Sequence, residues 1–330
     1  MPPPKAATPT AAAPTSAQAS APNAAPPPRP TLRFAPSPNG ALHLGHALSA
    51  LTTWAAARAL HGRFLLRIED IDTARTRPAF VDGIFRDLAW LGLTWEEPVL
   101  HQSQRFAHYR AAADRLADMG LLYPCFATRS EIDAAVTPEH PRDPDGAPLY
   151  PGLWRHRPQA DIDAARARGL PCALRLDMAR ALAHAHTRTG GAPITFVEGL
   201  GLDASAIDDA VRASPGLARV DRDGHLTEAL RASLAAPPRV VTADPARWGD
   251  AVLVRKDTPT SYHLAVVVDD AAQGISHVTR GRDLFAATDL HRLLQVLLDL
   301  PAPIYAHHAL LTDARGRKLS KSAGDAGLRG

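Results

Sequence analysis

Cysteine is almost missing from this 330-residue chain, which has only Cys125 and Cys172. A disulfide scaffold is therefore excluded, and a reducing, cytoplasmic compartment is expected. Long apolar runs are missing too. None approaches the ~20 residues that a bilayer-spanning helix requires, so no membrane segment is expected. Lysine is the third shortage: the basic side chains are 33 Arg and only four Lys, at positions 5, 256, 318 and 321. Arginine can replace lysine almost anywhere that charge alone suffices, so the retained lysines draw attention. A basic stripe with interleaved aromatics is also absent, and the formal charge of +3 is too small to argue for a nucleic-acid partner. What is present is ordinary for a globular protein, with 45% hydrophobic and 22% charged residues. The length suits two or three domains, or one large α/β domain with an insertion.

Residues 1–30 hold ten Pro and ten Ala. Such a stretch buries too little apolar surface to offset its ordering entropy, so a disordered tail is expected, with no apolar centre for a signal peptide. From Thr31 the pattern changes. Leu32-Arg33-Phe34 reads as a strand stopped by the turn residues Ala35 to Gly40, and an Ala/Leu-rich helix follows from Leu44 to Leu60. Phe64 to Ile68 reads as a buried strand with an acidic end, and helical spacing returns at Phe80, Ile84, Leu88 and Leu91. Strand, helix, strand, helix is the pattern of a parallel, doubly wound sheet. Residues 123–249 are less regular and are expected to form an inserted subdomain, with strands at Cys172–Leu176 and Ile194–Val197. A second half of the sheet domain is expected over 250–330. There Tyr262–Val268 is apolar, Ile275–Thr279 a strand, Leu284–Leu300 a helix and Ile304–Leu311 a further strand.

Two constellations carry chemistry. The first, Ala35-Pro-Ser-Pro-Asn-Gly-Ala-Leu-His43-Leu-Gly45-His46, joins a strand to a helix. A helix N-terminus offers unpaired N–H groups and a positive dipole end, both suited to phosphate. His43 and His46 project from one face of the first turn, and Gly45 removes a side chain where a planar base could press on the backbone. On its own the pattern also suits a capped helix start with two surface histidines. The second is Lys318-Leu-Ser320-Lys321-Ser322. Two ammonium groups on a short loop can stabilise charge developing on a leaving group, although a solvated basic tail would read alike.

Together the pair resembles the signatures of class I aminoacyl-tRNA synthetases. Arg33-Phe-Ala-Pro-Ser-Pro, Leu66-Arg-Ile-Glu69-Asp, Tyr262-His-Leu-Ala-Val-Val-Val-Asp-Asp and Val278-Thr-Arg280-Gly281 are similar to the glutamyl/glutaminyl branch. The resemblance covers roughly 31–125 and 250–322. It implies an α/β fold, a Rossmann-type doubly wound parallel sheet split by an α+β insertion, with the site at the carboxyl ends of the strands. The chain ends eight residues past Ser322, where a full-length member would continue into a large anticodon-binding region. That brevity resembles the short glutamyl-Q tRNA(Asp) synthetase family. The resemblance implies activation of L-glutamate by ATP and transfer to queuosine at the wobble position of tRNA(Asp), with Mg²⁺ accompanying ATP. It also implies residue roles. Arg33 with Tyr262, Ala35 and Ser37 would hold the glutamate side-chain carboxylate, Glu69 its ammonium group, and Arg280 a second carboxylate. His43, Gly45, His46, Lys318, Ser320 and Lys321 would face ATP, with His43, His46 and Lys321 catalytic.

Three departures stand out. Members often hold zinc through Cys-x-Cys and a later Tyr-x-x-x-Cys, whereas this chain has Cys125-Phe-Ala127 and Tyr150-Pro-Gly-Leu-Trp154. Cys125 and Tyr150 alone make too poor a ligand set for a tetrahedral site, so zinc is not expected and Trp154 is expected to fill the space. A long extra insertion, roughly 180–245, reads as a solvated helical subdomain. The C-terminus is abrupt. A monomer is expected. Two rival readings are a truncated glutamyl-tRNA synthetase charging the 3′ end of tRNA(Glu), and a non-catalytic glutamate- or adenylate-binding relative.

Overall fold

A computed structural model describes residues 29–214, 216–311 and 328. Residues 1–28 of the Ala/Pro-rich segment and the whole Lys318–Ser322 motif lie outside the described residues. In chain order, β1 (Thr31–Phe34), α1 (Leu44–Ala59), β2 (Arg63–Ile68), α2 (Pro78–Trp90), β3 (Glu96–His101) and α3 (Phe106–Asp118) come first. Next are β4 (Leu122–Cys125), the helices α4 (Arg129–Ala134) and α5 (Gln159–Ala167), β5 (Ala173–Leu176) and α6 (Met178–Arg188). Then come β6 (Thr195–Glu198), α7 (Ala204–Arg212), α8 (Leu217–Val220), α9 (His225–Ala235) and β7 (Arg239–Thr242). The last elements are β8 (Val252–Val254), α10 (Tyr262–Ala272), β9 (His277–Gly281), α11 (Ala287–Leu298) and β10 (Ile304–His308).

Strands β1, β2 and β3 form a parallel sheet in that order. A second sheet runs β7-β6-β10-β9, parallel except for the antiparallel edge strand β7. The two sheets meet where β1 lies beside β9. There the Ser276 N–H donates to the Thr31 carbonyl at 3.0 Å and the Thr31 N–H donates to Ser276 Oγ at 2.8 Å. The chain thus leaves β1 toward β2 on one side and returns as β9 on the other. That reversal opens a crevice at the carboxyl ends of the strands, where doubly wound sheets bind ligands. The expected parallel, doubly wound arrangement with an inserted antiparallel sheet is present.

Helix α1 shows how the core is layered. Ala47, Leu48, Ala50, Leu51, Trp54, Ala55, Ala56 and Ala57 are all buried, so the helix is covered around its circumference. Leu32, Phe34, Phe64 and Leu66 belong to the same core, as do Ile207 and Ala210 of α7 and Leu226, Leu230 and Leu234 of α9. A helix that is apolar all round needs such a double cover. A second core joins α3, α6, α10 and α11 through Leu116, Ala181, Leu264, Val267, Leu290 and Leu294.

Two features differ from the reading of the sequence, and a third adds to it. The extra insertion is not a solvated unit: α7 and α9 close over α1, and β6 joins the main sheet. Strand β8 pairs with β5 in a small antiparallel sheet with β4, so it belongs with the inserted region and not with the second half of the catalytic domain. The apolar run Tyr262–Val268 is helical, begun by Ser261, whose Oγ accepts from the Leu264 N–H.

Candidate active site

The crevice opens into a cleft of about 480 Å³. The loop after β1 contributes Ala35, Pro36 and Ser37, and α1 contributes Gly45 and His46. The end of β2 contributes Glu69, and the end of β9 contributes Arg280 and Gly281. Tyr262 enters from the first turn of α10, and Leu310 and Leu311 from the segment after β10. Every expected glutamate-site residue therefore lines one cavity, although Arg33 and Tyr262 are separated by most of the chain.

One end is a buried ionic cluster. Asp270, at the far end of α10, accepts from Arg33 Nε at 2.9 Å and Nη2 at 3.3 Å, and from Arg67 Nη1 at 2.7 Å. Arg67 Nη2 donates to Glu69 Oε1 at 3.1 Å. Burial opposes the charge on Asp270, yet the two arginines override it and hold its carboxyl below the ordinary range. Asp270 thus grips the Nε–Nη2 edge of Arg33, a residue that also lines the cleft. For Glu69 burial wins over Arg67 and Arg33, and its carboxyl is raised. A substrate ammonium group would reverse that balance. We therefore expect the KM for glutamate to rise as the pH falls, beginning above 4.5, because protonated Glu69 no longer attracts a cation. Steady-state kinetics across pH test this, and Glu69→Gln should flatten the profile. A KM that stays level down to 4.5 would overturn the role given to Glu69.

Arg280 is built differently. Its Nη2 donates to Thr288 Oγ1 at 2.7 Å, its Nε to His307 Nε2 at 3.0 Å, and its Nη1 faces His291 Nδ1 at 3.2 Å. It is 5% exposed and makes no ion pair with any described residue. Neutral acceptors thus orient a buried positive charge without neutralising it, which leaves the charge for an anion in the cleft. Tyr262 stands near this group. Burial raises its phenol while Arg280 works against the shift, so at neutral pH it remains a hydroxyl that can donate.

At the start of α1 the two signature histidines cap the helix and each other. The Gly45 N–H donates to His43 Nδ1 at 3.0 Å, and the His43 N–H donates to His46 Nδ1 at 3.2 Å. Both Nδ1 atoms are acceptors, so each neutral ring carries its proton on Nε2, as a donor suited to phosphate oxygen. A Cβ on Gly45 would lie 2.9 Å from His43 Cε1. The missing side chain therefore first makes room for the His43 ring, a reason the sequence did not disclose. Lys318, Ser320 and Lys321 cannot be placed, being outside the described residues. Leu311 before them lines the cleft, and Leu328 after them donates its N–H to the Leu42 carbonyl at 3.0 Å.

Reading the sequence did not single out Asp270, Arg67, Thr288, His291 or His307. Arg67 carried a signal, since an arginine inside an apolar strand implies a buried partner. His291 carried none.

The residues at the degenerate zinc position do not fit the metal. Cys125 Sγ donates to Tyr150 Oη at 3.3 Å, the Trp154 N–H donates to the same oxygen at 2.9 Å, and the Trp154 ring lies 4.8 Å from that of Phe126. Cys125, Ala127 and Tyr150 form an apolar cluster with Tyr123, Ile132 and Leu153. One thiol and one phenol cannot complete a tetrahedral set.

Similarity to known proteins gives the family. Residues 31–187 and 239–326 match the model of the tRNA synthetases class I (E and Q), catalytic domain. The unmatched stretch between them holds β6 and α7 to α9. The chain is 43% identical to the glutamyl-Q tRNA(Asp) synthetase of Rhodobacter capsulatus, over 88% of this chain and 90% of that one. It is 36% identical to the glutamate–tRNA ligase of Parasynechococcus marenigrum, over 89% of this chain but 52% of the relative. The solved glutamate-tRNA synthetase of Elizabethkingia anophelis shares the fold, with a TM-score of 0.62 at 24% identity over 90% of this chain and 53% of its own. No described helix is long and apolar enough to cross a membrane. Matched by the family model over most of its length, the chain belongs to the class I tRNA synthetases of the E and Q branch, a family of ligases.

Proposed function

We propose that this chain activates L-glutamate with ATP and transfers the glutamyl group to queuosine at the wobble position of tRNA(Asp). The observation that carries the amino-acid part is the buried, unneutralised Arg280 in one cleft with Arg33, Tyr262 and Glu69. Two guanidinium groups, a hydroxyl and one carboxylate are the complement of a ligand with two carboxylates and one ammonium group. Arg33 and Tyr262 take the side-chain carboxylate, Glu69 the ammonium group and Arg280 the second carboxylate. The similarity to relatives named glutamyl-Q tRNA(Asp) synthetase supports the acceptor.

In the first step an oxygen of the glutamate α-carboxylate attacks the α-phosphorus of ATP. The bond to the β-phosphate bridging oxygen breaks, giving glutamyl-adenylate and pyrophosphate. His43 and His46 donate from Nε2 to phosphate oxygens, and Lys321 stabilises the leaving pyrophosphate. In the second step a queuosine hydroxyl attacks the acyl carbon, AMP departs, and the hydroxyl proton passes to the departing phosphate or to water. Most of the acceleration comes from positioning and charge stabilisation. Mg²⁺ would enter with ATP, because it accompanies nearly all such phosphoryl substrates.

ATP–pyrophosphate exchange tests the reading. Exchange that requires glutamate but not tRNA is expected, followed by periodate-sensitive transfer of labelled glutamate to queuosine-containing tRNA(Asp). Transfer to the 3′ end of tRNA(Glu) would overturn the acceptor. Absence of exchange would overturn activation and favour a binding protein.

A further inference from the structure

Arg280 is held through a chain of hydrogen bonds that ends on the inserted region. Arginine has only donors, so the histidine nitrogens that face it must present lone pairs. His307 Nε2 accepts from Arg280 Nε, which places the His307 proton on Nδ1. That atom lies 2.8 Å from Glu198 Oε2, while Glu198 Oε1 accepts the His307 backbone N–H at 3.0 Å. On the other side His291 Nδ1 accepts from Arg280, so His291 Nε2 donates to His263 Nδ1 at 3.2 Å. The His307 side chain is fully buried and that of Glu198 is 12% exposed. Burial pushes His307 down to about 4 in spite of Glu198, and burial with the Arg280 charge holds His291 well below its ordinary value. The rings that brace Arg280 are thus neutral at neutral pH, which they must be to accept from it.

Glu198 ends β6, in the stretch that the family model leaves unmatched, and β6 pairs with β10 at Tyr305. The insertion therefore delivers a carboxylate to the back of the cleft wall. We propose that Glu198 is a positioning residue for substrate recognition: by holding His307 in the Nδ1–H tautomer it makes Nε2 an acceptor for Arg280 and aims the guanidinium at the substrate carboxylate. The proposal rests on the reading of the cleft as a glutamate site. It also gives the insertion a task that its surface does not show.

Glu198→Gln is the informative change. His307 offers two donors, its backbone N–H and Nδ1–H, and a glutamine has only one acceptor oxygen for them. If its amide N–H₂ meets the ring, His307 must carry its proton on Nε2, donor against donor with Arg280 Nε. The expected result is a glutamate KM about tenfold higher, the scale of one lost charge-assisted hydrogen bond, with kcat and the ATP KM within about twofold. Glu198→Asp keeps both acceptor oxygens and should restore part of the loss. ¹⁵N spectra of the wild-type chain should show His307 protonated on Nδ1, and those of Glu198→Gln should show the proton on Nε2.

Three results would overturn the proposal. One is a wild-type His307 protonated on Nε2. Another is a Glu198→Gln variant whose glutamate KM is unchanged while the wild type exchanges pyrophosphate. The third is an equal rise in both variants together with a lowered melting temperature, which would make Glu198 a brace for β10 only. The tautomer measurement needs no turnover. A wild type silent in exchange would therefore count against the glutamate reading, while the spectra would still decide the role of Glu198.

Discussion

Asp270→Asn is expected to destabilise the protein by about 3–5 kcal/mol, because it leaves two buried guanidinium groups without their shared carboxylate. Arg33 and Arg67 have side-chain exposures of 5% and 0%, so water cannot take the place of Asp270. The amide keeps the volume of the carboxyl group but can accept at only one oxygen, and it carries no charge. Denaturant unfolding of both proteins at neutral pH measures the difference. The sign of the pH dependence follows from the depressed Asp270 carboxyl. Its stabilisation is fully present above the unfolded value of 3.8 and is lost as the pH falls through the lower folded value. The wild type and the variant should therefore converge in stability at acid pH. Glutamate binding should weaken too, since Arg33 loses the grip that orients it. A variant as stable as the wild type at pH 7 would mean that the cluster does not hold β1, β2 and α10 together as described.

Arg280→Ala is expected to lower kcat/KM for glutamate by roughly 10³-fold, near 4 kcal/mol, the range for removing one partner of a buried, hydrogen-bonded charge pair. The loss should fall on the amino acid, because the hydrogen-bond partners of Arg280 are Thr288, His291 and His307, away from the helix start where ATP phosphates are proposed to bind. Thr288, His291 and His307 would remain as a neutral pocket, and stability should change little, since no described carboxylate loses a partner. Arg280→Lys should recover only part of the activity. A single ammonium group cannot reach Thr288, His291, His307 and substrate from one fork. Initial-rate exchange kinetics with glutamate varied at saturating ATP measure the loss. A change of less than tenfold would remove Arg280 from substrate recognition.

What could be read from the residues alone was local. The strand, turn and helix of residues 31–60 follow from neighbours within a few positions, and the structure places β1 and α1 there within one or two residues. The two histidines of that turn are likewise close in sequence, so their meeting at one helix start was legible. Strand β3 escaped notice because its first three residues are exposed and leave no apolar pattern. The Tyr262–Val268 run could have been strand or helix, and burial on several sides decided it as α10. In α7 and α9 the spacing of Ile207, Ala210, Leu226 and Leu230 shows faces that must be buried, but the solvated reading missed that the cover is α1.

The sequence by itself determined the alternation of strands and helices, the phosphate-suited helix start and the kinds of side chain in the cleft. Those depend on the periodicity of burial and on hydrogen bonds between near neighbours. Only the tertiary structure decided that Arg33 meets Asp270 from 237 positions away, that Arg67 shares it, and that Glu198 reaches Arg280 through His307. A charge finds its partner by distances of about 3 Å in a site that excludes water. Such distances are set by how β1, β9 and β10 come to lie side by side, which no local spacing encodes.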